Sequence, residues 1–169
     1  MNDTQKRKSL IFDFDSTFVK IETIDLLAEL SLKDDSNAKE KISQISEITK
    51  KAMAGEIDFP TALEQRLSIL SLNSNIVFEI TNEISNQVTD SFKRNKELIK
   101  SLSDDIWIVS GGFSEIICPI VNEYGISDNH VIANSFIYDG NLIIGCDRNN
   151  FLFQNKGKTK AIKSLGITN

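Results

Sequence analysis

Two aspartates, Asp13 and Asp15, lie at the end of a mostly apolar run, Leu10 to Phe14. The run predicts a buried strand, and because side chains alternate along a strand, residues two apart point to the same side. We therefore expect both carboxylates at one pocket mouth, where their repulsion raises the pKa of one of them. Such a pair suits a reaction in which one carboxylate attacks as a nucleophile and the other, protonated, is the general acid. Their oxygens also suit Mg²⁺, although two solvated acids at a strand end fit the same pattern.

A hydroxyl followed by two glycines, at Ser110, Gly111 and Gly112, is the second candidate for chemistry. The triplet follows another apolar run, Ile106 to Val109, which also predicts a buried strand. Glycines let the backbone approach an anion closely, and the free N–H groups at a following helix start can bind it. The triplet therefore predicts an anion site, and a glycine turn in which Ser110 caps the next helix is the alternative.

A lysine near the C-terminus supplies a cation for the same chemistry. Lys158 stands in Asn155-Lys156-Gly157-Lys158-Thr159-Lys160, just before a predicted helix. A compact ammonium there would neutralise a bound anion and the charge on Asp13. Lys156 is the fallback for this role, and a solvated basic patch is the alternative to both.

The elements that must position these residues follow an α/β pattern. Two buried strands that each lead into a polar turn and a helix predict an open sheet whose strand ends carry the site. Between them, from Glu22 to about Lys100, the apolar residues keep helical spacing, which predicts four or five helices. Breaks at 33–36, 55–60 and 71–75 divide this block. An all-helical block after the first strand predicts a cap over the strand ends.

The pattern after the second strand returns to alternating helices and strands. It predicts a helix over Phe113 to Tyr124, a strand over Val131 to Tyr138 and a return strand over Leu142 to Gly145. Asp139-Gly140, between the two strands, is typical of a tight hairpin turn. A last helix is expected from near Lys158 to Leu165.

The composition narrows the class of protein. The chain has 169 residues, of which 40% are hydrophobic and 25% charged, and this excludes a wholly disordered or fibrous chain. The formal net charge of −5 argues against nucleic acid as a partner but not against a local site for a small anion. No apolar run is long enough to cross a membrane, and no secretion-signal pattern stands near the start. We therefore expect a cytoplasmic protein with no membrane partner.

The motifs in this order resemble the haloacid dehalogenase superfamily, in particular its phosphoserine phosphatase branch. Asp13-Phe14-Asp15-Ser16-Thr17 is similar to the family's first motif, in which the first Asp attacks the phosphoryl group and the second protonates the leaving alcohol and then activates water. Ser110 resembles the second motif, which binds the phosphate, and Lys158 resembles the third. The resemblance implies an α/β fold: a Rossmann-like sheet flanked by helices, with an inserted small helical (C1-type) cap. It also implies Mg²⁺ as the cofactor, with Asp13 and Asp15 among its ligands.

The resemblance extends to residues of the predicted cap. Glu22 lies nine positions after Asp13, where phosphoserine phosphatases carry the acid that binds the substrate ammonium. An Arg at the position of Arg66 holds the substrate carboxylate in that family, and Met53 and Phe59 match residues that line the pocket. Phosphoserine offers an ammonium, a carboxylate and a phosphate, so its site needs an acid, a planar cation and a phosphate cradle.

A function and a domain layout follow from the resemblance. The implied function is Mg²⁺-dependent hydrolysis of O-phospho-L-serine through an aspartyl phosphate, with Ser110, Gly111 and Gly112 binding the substrate. Residues 1–21 and 93–169 would form the α/β core, and residues 22–92 the helical cap. Another small phosphomonoester is the alternative substrate.

One family motif is not found in the sequence. It would be a further buried strand ending in Gly-Asp-Gly, beginning soon after Ile167, and no Asp or Glu follows Lys158. We therefore expect the C-terminal strands of the family to be missing, through truncation or degeneration. Truncation is favoured, because the loss of a central strand leaves unpaired edges and an exposed apolar face. The corresponding alternative function is a non-catalytic remnant that binds phosphate-bearing metabolites or a partner chain.

Overall fold

A computed structural model describes residues 9–166 of the chain, and three parallel strands form its main sheet in the order β1-β2-β3. The strands are β1 Leu10–Phe12, β2 Ile106–Phe113 and β3 Val131–Asn134. Leu10 lies opposite Ile106 and Phe12 opposite Ile108, so the first strand pairs over its whole length with the second. Within the described residues β1 is therefore an edge strand.

Six helices connect β1 to β2, all of them inside the described range. They are α1 Thr23–Ser31, α2 Ala38–Met53, α3 Phe59–Ile69, α4 Ser74–Asn86, α5 Asp90–Arg94 and α6 Lys96–Ser101. Asp58 caps α3 by accepting a hydrogen bond from the N–H of Thr61, and Asn73 caps α4 in the same way. The helical character of this segment is confirmed. The prediction of four or five helices was too low, because a further break at Asn95 separates α5 from α6.

The two ends of this helical segment lie side by side. An isolated antiparallel bridge joins Val19, which follows β1 and precedes the helices, to Val88, which follows α4. Beside the bridge, the N–H of Lys20 donates to the carbonyl of Gln87 at 2.9 Å. The segment therefore leaves and rejoins the sheet-bearing part of the chain at one place.

The chain after β2 alternates helix and strand as predicted. The elements are α7 Ser114–Asn122, β4 Phe136–Asp139, β5 Leu142–Cys146 and α8 Gly157–Ser164. The single strand predicted over Val131 to Tyr138 is in fact two, because the chain changes partner at Ser135: β3 joins the parallel sheet and β4 pairs with β5 in an antiparallel hairpin. The tight turn after Asp139 is confirmed, with Gly140 at a φ of +57°.

Both faces of the parallel sheet are covered. Alternate side chains of neighbouring strands, such as Phe12 and Ile108, belong to the main core with α7, while Ile11 and Val109 belong to a second cluster with Ala161 of α8. The sheet thus lies between helices on either side, which leaves the ends of its strands as the place for a site. No helix among the described residues combines the length and the apolar composition that a membrane span requires.

Candidate active site

The predicted motifs meet in one cavity at the carboxyl ends of β1 and β2. The cavity has a volume of about 210 Å³ and is bounded on the other side by α1 and α3. Its lining residues are Asp13, Asp15, Glu22, Thr23, Ile24, Phe59, Leu63, Arg66, Gly111, Gly112, Phe113 and Lys158. Eight of these were singled out from the sequence, and Thr23, Ile24, Leu63 and Phe113 were not.

Two residues proposed from the sequence are not part of this lining. Met53 is the last residue of α2, and it is 86% exposed to solvent. Ser110 is fully buried, and its Oγ accepts a hydrogen bond from the N–H of Gly112 at 3.0 Å. Ser110 therefore lies beneath the glycine segment and holds its backbone through this hydrogen bond, whereas Met53 faces solvent.

The two aspartates reach the cavity through a loop. β1 ends at Phe12, before both of them, so the strand predicted over Leu10 to Phe14 is shorter than expected and its alternation does not align the two acids. Asp15 has extended backbone angles, and Ser16 lies in the left-handed region with a φ of 52°. This irregular loop, and not the pleat of a strand, turns both carboxylates into the same cavity.

Asp13 is in contact with the ammonium of Lys158. Its Oδ2 accepts a hydrogen bond from Lys158 Nζ, and its Oδ1 accepts one from the N–H of Phe14 at 2.9 Å. Lys156, the other candidate, is the N-cap of α8 and has a left-handed backbone. Of the two lysines, Lys158 is therefore the one that the fold places beside Asp13.

Gly157 sets the position from which Lys158 reaches Asp13. A Cβ atom on Gly157 would lie 2.3 Å from the carbonyl oxygen of Phe151 and 2.8 Å from Cα of Leu152. Only glycine permits such an approach of two backbone segments. The start of α8 is thereby packed directly against the chain at Phe151 and Leu152.

Asp15 is held by Thr23 at the start of α1. The N–H of Thr23 donates to Oδ1 of Asp15 at 2.9 Å, and the Thr23 hydroxyl donates to the same oxygen. Burial raises the pKa of Asp15, the hydrogen bonds from Thr23 act against this, and the charges of Glu22 and Asp13 add to the rise. A carboxyl group with a raised pKa is suited to deliver a proton to a leaving group.

Arg66 faces the cavity from α3 as a buried cation. It is 9% exposed, and its Nε donates to the carbonyl of Ala62 at 3.1 Å. No carboxylate of the described residues lies within 4.0 Å of its guanidinium. Burial lowers the pKa of Arg66, and the charges of Asp25 and Glu22 oppose this. A desolvated guanidinium in this state offers a position for an anionic group.

Glu22 and Phe59 join the helical segment to the two motif loops. Glu22 precedes α1, and its Oε1 accepts a hydrogen bond from Oγ of Ser16 at 2.6 Å. The ring of Phe59 lies against the glycine segment, since a Cβ on Gly111 would be 3.3 Å from Phe59 Cζ. The starts of α1 and α3 therefore close over the strand ends from two sides.

Asn134, at the end of β3, was missed in the sequence. It is fully buried, and its Nδ2 donates to the carbonyl of Gly111 at 2.8 Å. Among the described residues, its Oδ1 is a buried oxygen without a hydrogen-bond partner. The sequence feature that could have indicated this role is an amide side chain at the end of the apolar run that begins at Val131.

The glycine segment is a bulge in β2 and not the turn expected after Val109. The second strand continues to Phe113, and from Val109 to Phe113 it advances four residues while β3 advances two. The extra residues leave the regular ladder, as in other bulges that redirect a strand next to a site. The carbonyl of Gly111 accordingly accepts its hydrogen bond from the side-chain amide of Asn134.

A larger cavity, of about 700 Å³, lies between α3 and β5. Leu67 and Ile143 contribute to its apolar lining, and Glu64 pairs with Arg148 beside it at 2.6 Å. None of the residues singled out for chemistry lines this space. The smaller cavity, which collects them, is therefore the candidate active site.

Asp13 and Asp15 are the residues that could hold a metal ion. The described part of the chain contains no group of three or more His, Cys, Asp or Glu side chains arranged to do so. Mg²⁺ at phosphate sites takes one or two carboxylates and completes its shell with water and substrate oxygens. The oxygens that Asp13 and Asp15 bring to one cavity fit this smaller requirement.

Comparison with known proteins decides the family. The haloacid dehalogenase-like hydrolase family matches residues 10–168. The chain belongs to this family. The resemblance drawn from Asp13, Ser110 and Lys158 is thereby confirmed at the level of the family.

Curated relatives of this haloacid dehalogenase-like chain are phosphoserine phosphatases. The one from Campylobacter jejuni subsp. doylei is 35% identical over 149 residues, which are 88% of this chain and 66% of that protein. The one from Drosophila melanogaster is 33% identical over 135 residues, which are 80% of this chain and 47% of that protein. The chain thus spans about half to two thirds of the length of these relatives.

The fold agrees with a solved structure of a phosphoserine phosphohydrolase-like protein from Francisella tularensis. The two chains superpose with a TM-score of 0.78 at 32% identity, over 96% of this chain and 74% of the other. The predicted fold class, an α/β sheet flanked by helices, is confirmed. The Gly-Asp-Gly strand sought after Ile167 falls outside the described residues.

Proposed function

We propose that this chain carries a phosphoserine phosphatase active site, at which O-phospho-L-serine is hydrolysed to L-serine and phosphate. The observation that carries the proposal is the composition of the smaller cavity, where a buried guanidinium and an acid face two aspartates and a lysine. Phosphoserine has one group for each of these partners. The names of the relatives from Campylobacter and Drosophila support the same substrate.

Binding would use both sides of the cavity. Arg66 would pair with the substrate carboxylate and Glu22 with its ammonium, while Phe59 lies along the side. The phosphate would then lie toward Asp13 and Lys158, next to the backbone of Gly111 and Gly112. Ser110 would act on the phosphate mainly through the shape of this segment, since its hydroxyl already accepts from Gly112. Met53 remains a candidate pocket residue only if α2 approaches the site when substrate binds.

The first chemical step uses both aspartates. An oxygen of Asp13 attacks phosphorus, the bond from phosphorus to the serine oxygen breaks, and its electron pair stays on that oxygen. Asp15 gives its proton to the same oxygen, so serine leaves as a neutral alcohol and Asp15 becomes a carboxylate. Lys158 offsets the negative charge that the phosphoryl group brings to Asp13.

The second step restores the enzyme. Asp15, now a carboxylate, takes a proton from water while the water oxygen attacks phosphorus. The bond between phosphorus and the Asp13 oxygen breaks, and its electrons return to the Asp13 carboxylate. Phosphate is released, and Asp15 again holds a proton for the next cycle.

Mg²⁺ would be held by the carboxylate of Asp13 and, as the family resemblance implies, by the backbone carbonyl of Asp15, together with the substrate phosphate, so the carboxyl group of Asp15 stays free to carry its proton. When bound there it would supply positive charge that draws electron density from the phosphoryl oxygens. The domain layout that we propose keeps residues 22–92 as a helical cap over a core of 1–21 and 93–169.

A phosphate-release assay tests this function. We expect the chain to release phosphate from phosphoserine with Mg²⁺, and the rate to fall strongly when EDTA removes the metal. Asp13→Asn should lower kcat by at least about 10³-fold, because the nucleophile is lost. Asp104→Asn, at an exposed acid remote from the cavity, is the matched control. Turnover that survives in Asp13→Asn would refute the mechanism, and tight phosphoserine binding without turnover would favour a non-catalytic remnant.

A further inference from the structure

The start of α1 is joined to the aspartate loop by hydrogen bonds from both sides. From the loop, Oγ of Ser16 donates to Glu22 at 2.6 Å. From the helix, the N–H and the hydroxyl of Thr23 both donate to Asp15. Thr23 is 2% exposed, so water does not compete for these bonds.

The bonds from Thr23 distinguish the two oxygens of the Asp15 carboxyl group. Both hydrogen bonds end on Oδ1. Among the described residues, no other group donates a hydrogen bond to the Asp15 side chain. Thr23 therefore occupies Oδ1 and leaves Oδ2 as the carboxyl oxygen that can meet a substrate. Oδ2 lies on the side of Gly112, where a Cβ would be only 3.5 Å away, and both residues line the cavity.

We propose that Thr23 is a positioning residue that holds Oδ1 of Asp15 and so turns Oδ2 toward the leaving group of the substrate. The proposal rests on the proposed function, since it concerns the same proton transfer. The hydroxyl of Thr23 occupies Oδ1 and fixes the plane of the carboxyl group. The proton on Oδ2 then passes to the leaving oxygen as the bond from phosphorus to that oxygen breaks, and Asp15 is left as a carboxylate.

The leaving group separates this role from a merely structural one. Serine is a poor leaving group as an alkoxide, so its departure needs the proton from Asp15. Nitrophenolate is a stable anion, and p-nitrophenyl phosphate therefore depends much less on a general acid. If Asp15 is misoriented, kcat/KM falls more for phosphoserine than for p-nitrophenyl phosphate, whereas a loosened fold lowers kcat/KM for both esters alike.

The test compares kcat/KM, which reports the step in which the alcohol leaves, for phosphoserine and p-nitrophenyl phosphate in Thr23→Val, a variant that keeps the shape and the N–H but loses the hydroxyl. We expect the ratio of kcat/KM values, phosphoserine over p-nitrophenyl phosphate, to fall about tenfold, which is less than the full contribution of a general acid. Thr23→Ser keeps a hydroxyl and should restore most of the ratio. Thr81→Val is the matched control, because Thr81 is also buried and its hydroxyl donates to Val77 within α4.

Two results would overturn the proposal: an unchanged ratio in Thr23→Val, which includes an equal loss for both esters, or no recovery of the ratio in Thr23→Ser. A double-mutant cycle in urea unfolding, with Thr23→Val and Asp15→Ala, needs no turnover. We expect the effects of the two substitutions on the free energy of unfolding to be non-additive, because both remove the same contact, and strict additivity would overturn the contact itself. Failure of the wild-type chain to release phosphate from either ester counts against the proposed function, while the cycle still decides whether Thr23 holds Asp15.

Discussion

The guanidinium of Arg66 is buried near a cavity with no carboxylate of the described residues within 4.0 Å. Arg66→Ala should therefore raise KM for phosphoserine by about 30-fold or more, since truncating a desolvated charge partner costs about 2–5 kcal/mol. Phosphoethanolamine has the phosphate and the ammonium but no carboxylate, so its KM should change far less. Steady-state kinetics on both esters measures this, with Arg94→Ala, at an exposed arginine of α5, as the control. Equal losses on both esters would contradict the assignment of Arg66 to the carboxylate.

The burial of Asp15 leads to a prediction about both stability and catalysis. Burial raises its pKa, so the fold destabilises its charged form relative to the unfolded chain. Asp15→Asn removes that charge and keeps an oxygen to accept the bonds from Thr23. We expect the free energy of unfolding at pH 7.5 to rise by about 1 kcal/mol, while kcat for phosphoserine falls at least about 100-fold.

Urea unfolding and phosphate release on the same preparations check both halves of this prediction. Because the folded pKa is raised, the wild-type chain loses stability as pH rises above the ordinary pKa of Asp15, 3.8, and the variant should not lose this part. A variant that is less stable than wild type at pH 7.5 would show that the hydrogen bonds from Thr23 outweigh the cost of burial.

At the level of elements, α8 positions Lys158 only because Gly157 packs against a neighbouring backbone. Gly157→Ala places a Cβ 2.3 Å from the carbonyl oxygen of Phe151, so the helix start must shift. We expect a loss of about 1–3 kcal/mol in the free energy of unfolding, together with a fall in kcat, because Lys158 moves away from Asp13. Lys163→Ala, on the exposed side of the same helix, should change neither quantity.

Thermal unfolding and phosphate-release kinetics measure the Gly157→Ala effects. A Gly157→Ala chain with wild-type kcat would mean that Lys158 does not depend on the position of α8. Lys158→Met and Lys156→Met then compare the two lysines directly: we expect the first to lose most activity and the second little, since Lys158 alone of the two contacts Asp13.

On the scale of the whole molecule, two free thiols couple stability to alkaline pH. Burial raises the pKa of Cys118 to about 12 and that of Cys146 to about 11, from an ordinary 9.0. Between about pH 9 and 11 the unfolded chain therefore gives up thiol protons that the folded chain keeps. Since the folded state binds more protons in this range, the free energy of unfolding should fall as pH rises.

Urea unfolding at pH 7, 9 and 10.5 in the presence of a reductant checks this slope. The double variant Cys118→Ala/Cys146→Ala should show a shallower fall, and Tyr124 and Tyr138, whose pKa values burial also raises, contribute to the slope that remains. A wild-type chain whose stability does not change over this range would contradict the burial of the thiols.

Much of the fold was predictable because it depends on local patterns. Two apolar runs gave β1 and β2, helical spacing gave the segment between them, and Asp139-Gly140 gave the hairpin turn. The errors lie where tertiary contacts overrule local pattern. β2 continues through its glycines as a bulge because β3 and Asn134 hold it there, and the strand predicted after Val131 divides because its halves find different partners.

The sequence by itself determined the family and predicted the chemistry from two acids, a glycine segment, a lysine, a glutamate and an arginine in an order typical of that family. Only the tertiary structure decided which of them meet. It placed Lys158 and not Lys156 on Asp13, left Met53 in solvent, and tied Asp15 to Thr23. The reason is physical: residue types and spacing fix what a side chain can do, but its partner depends on how distant segments pack.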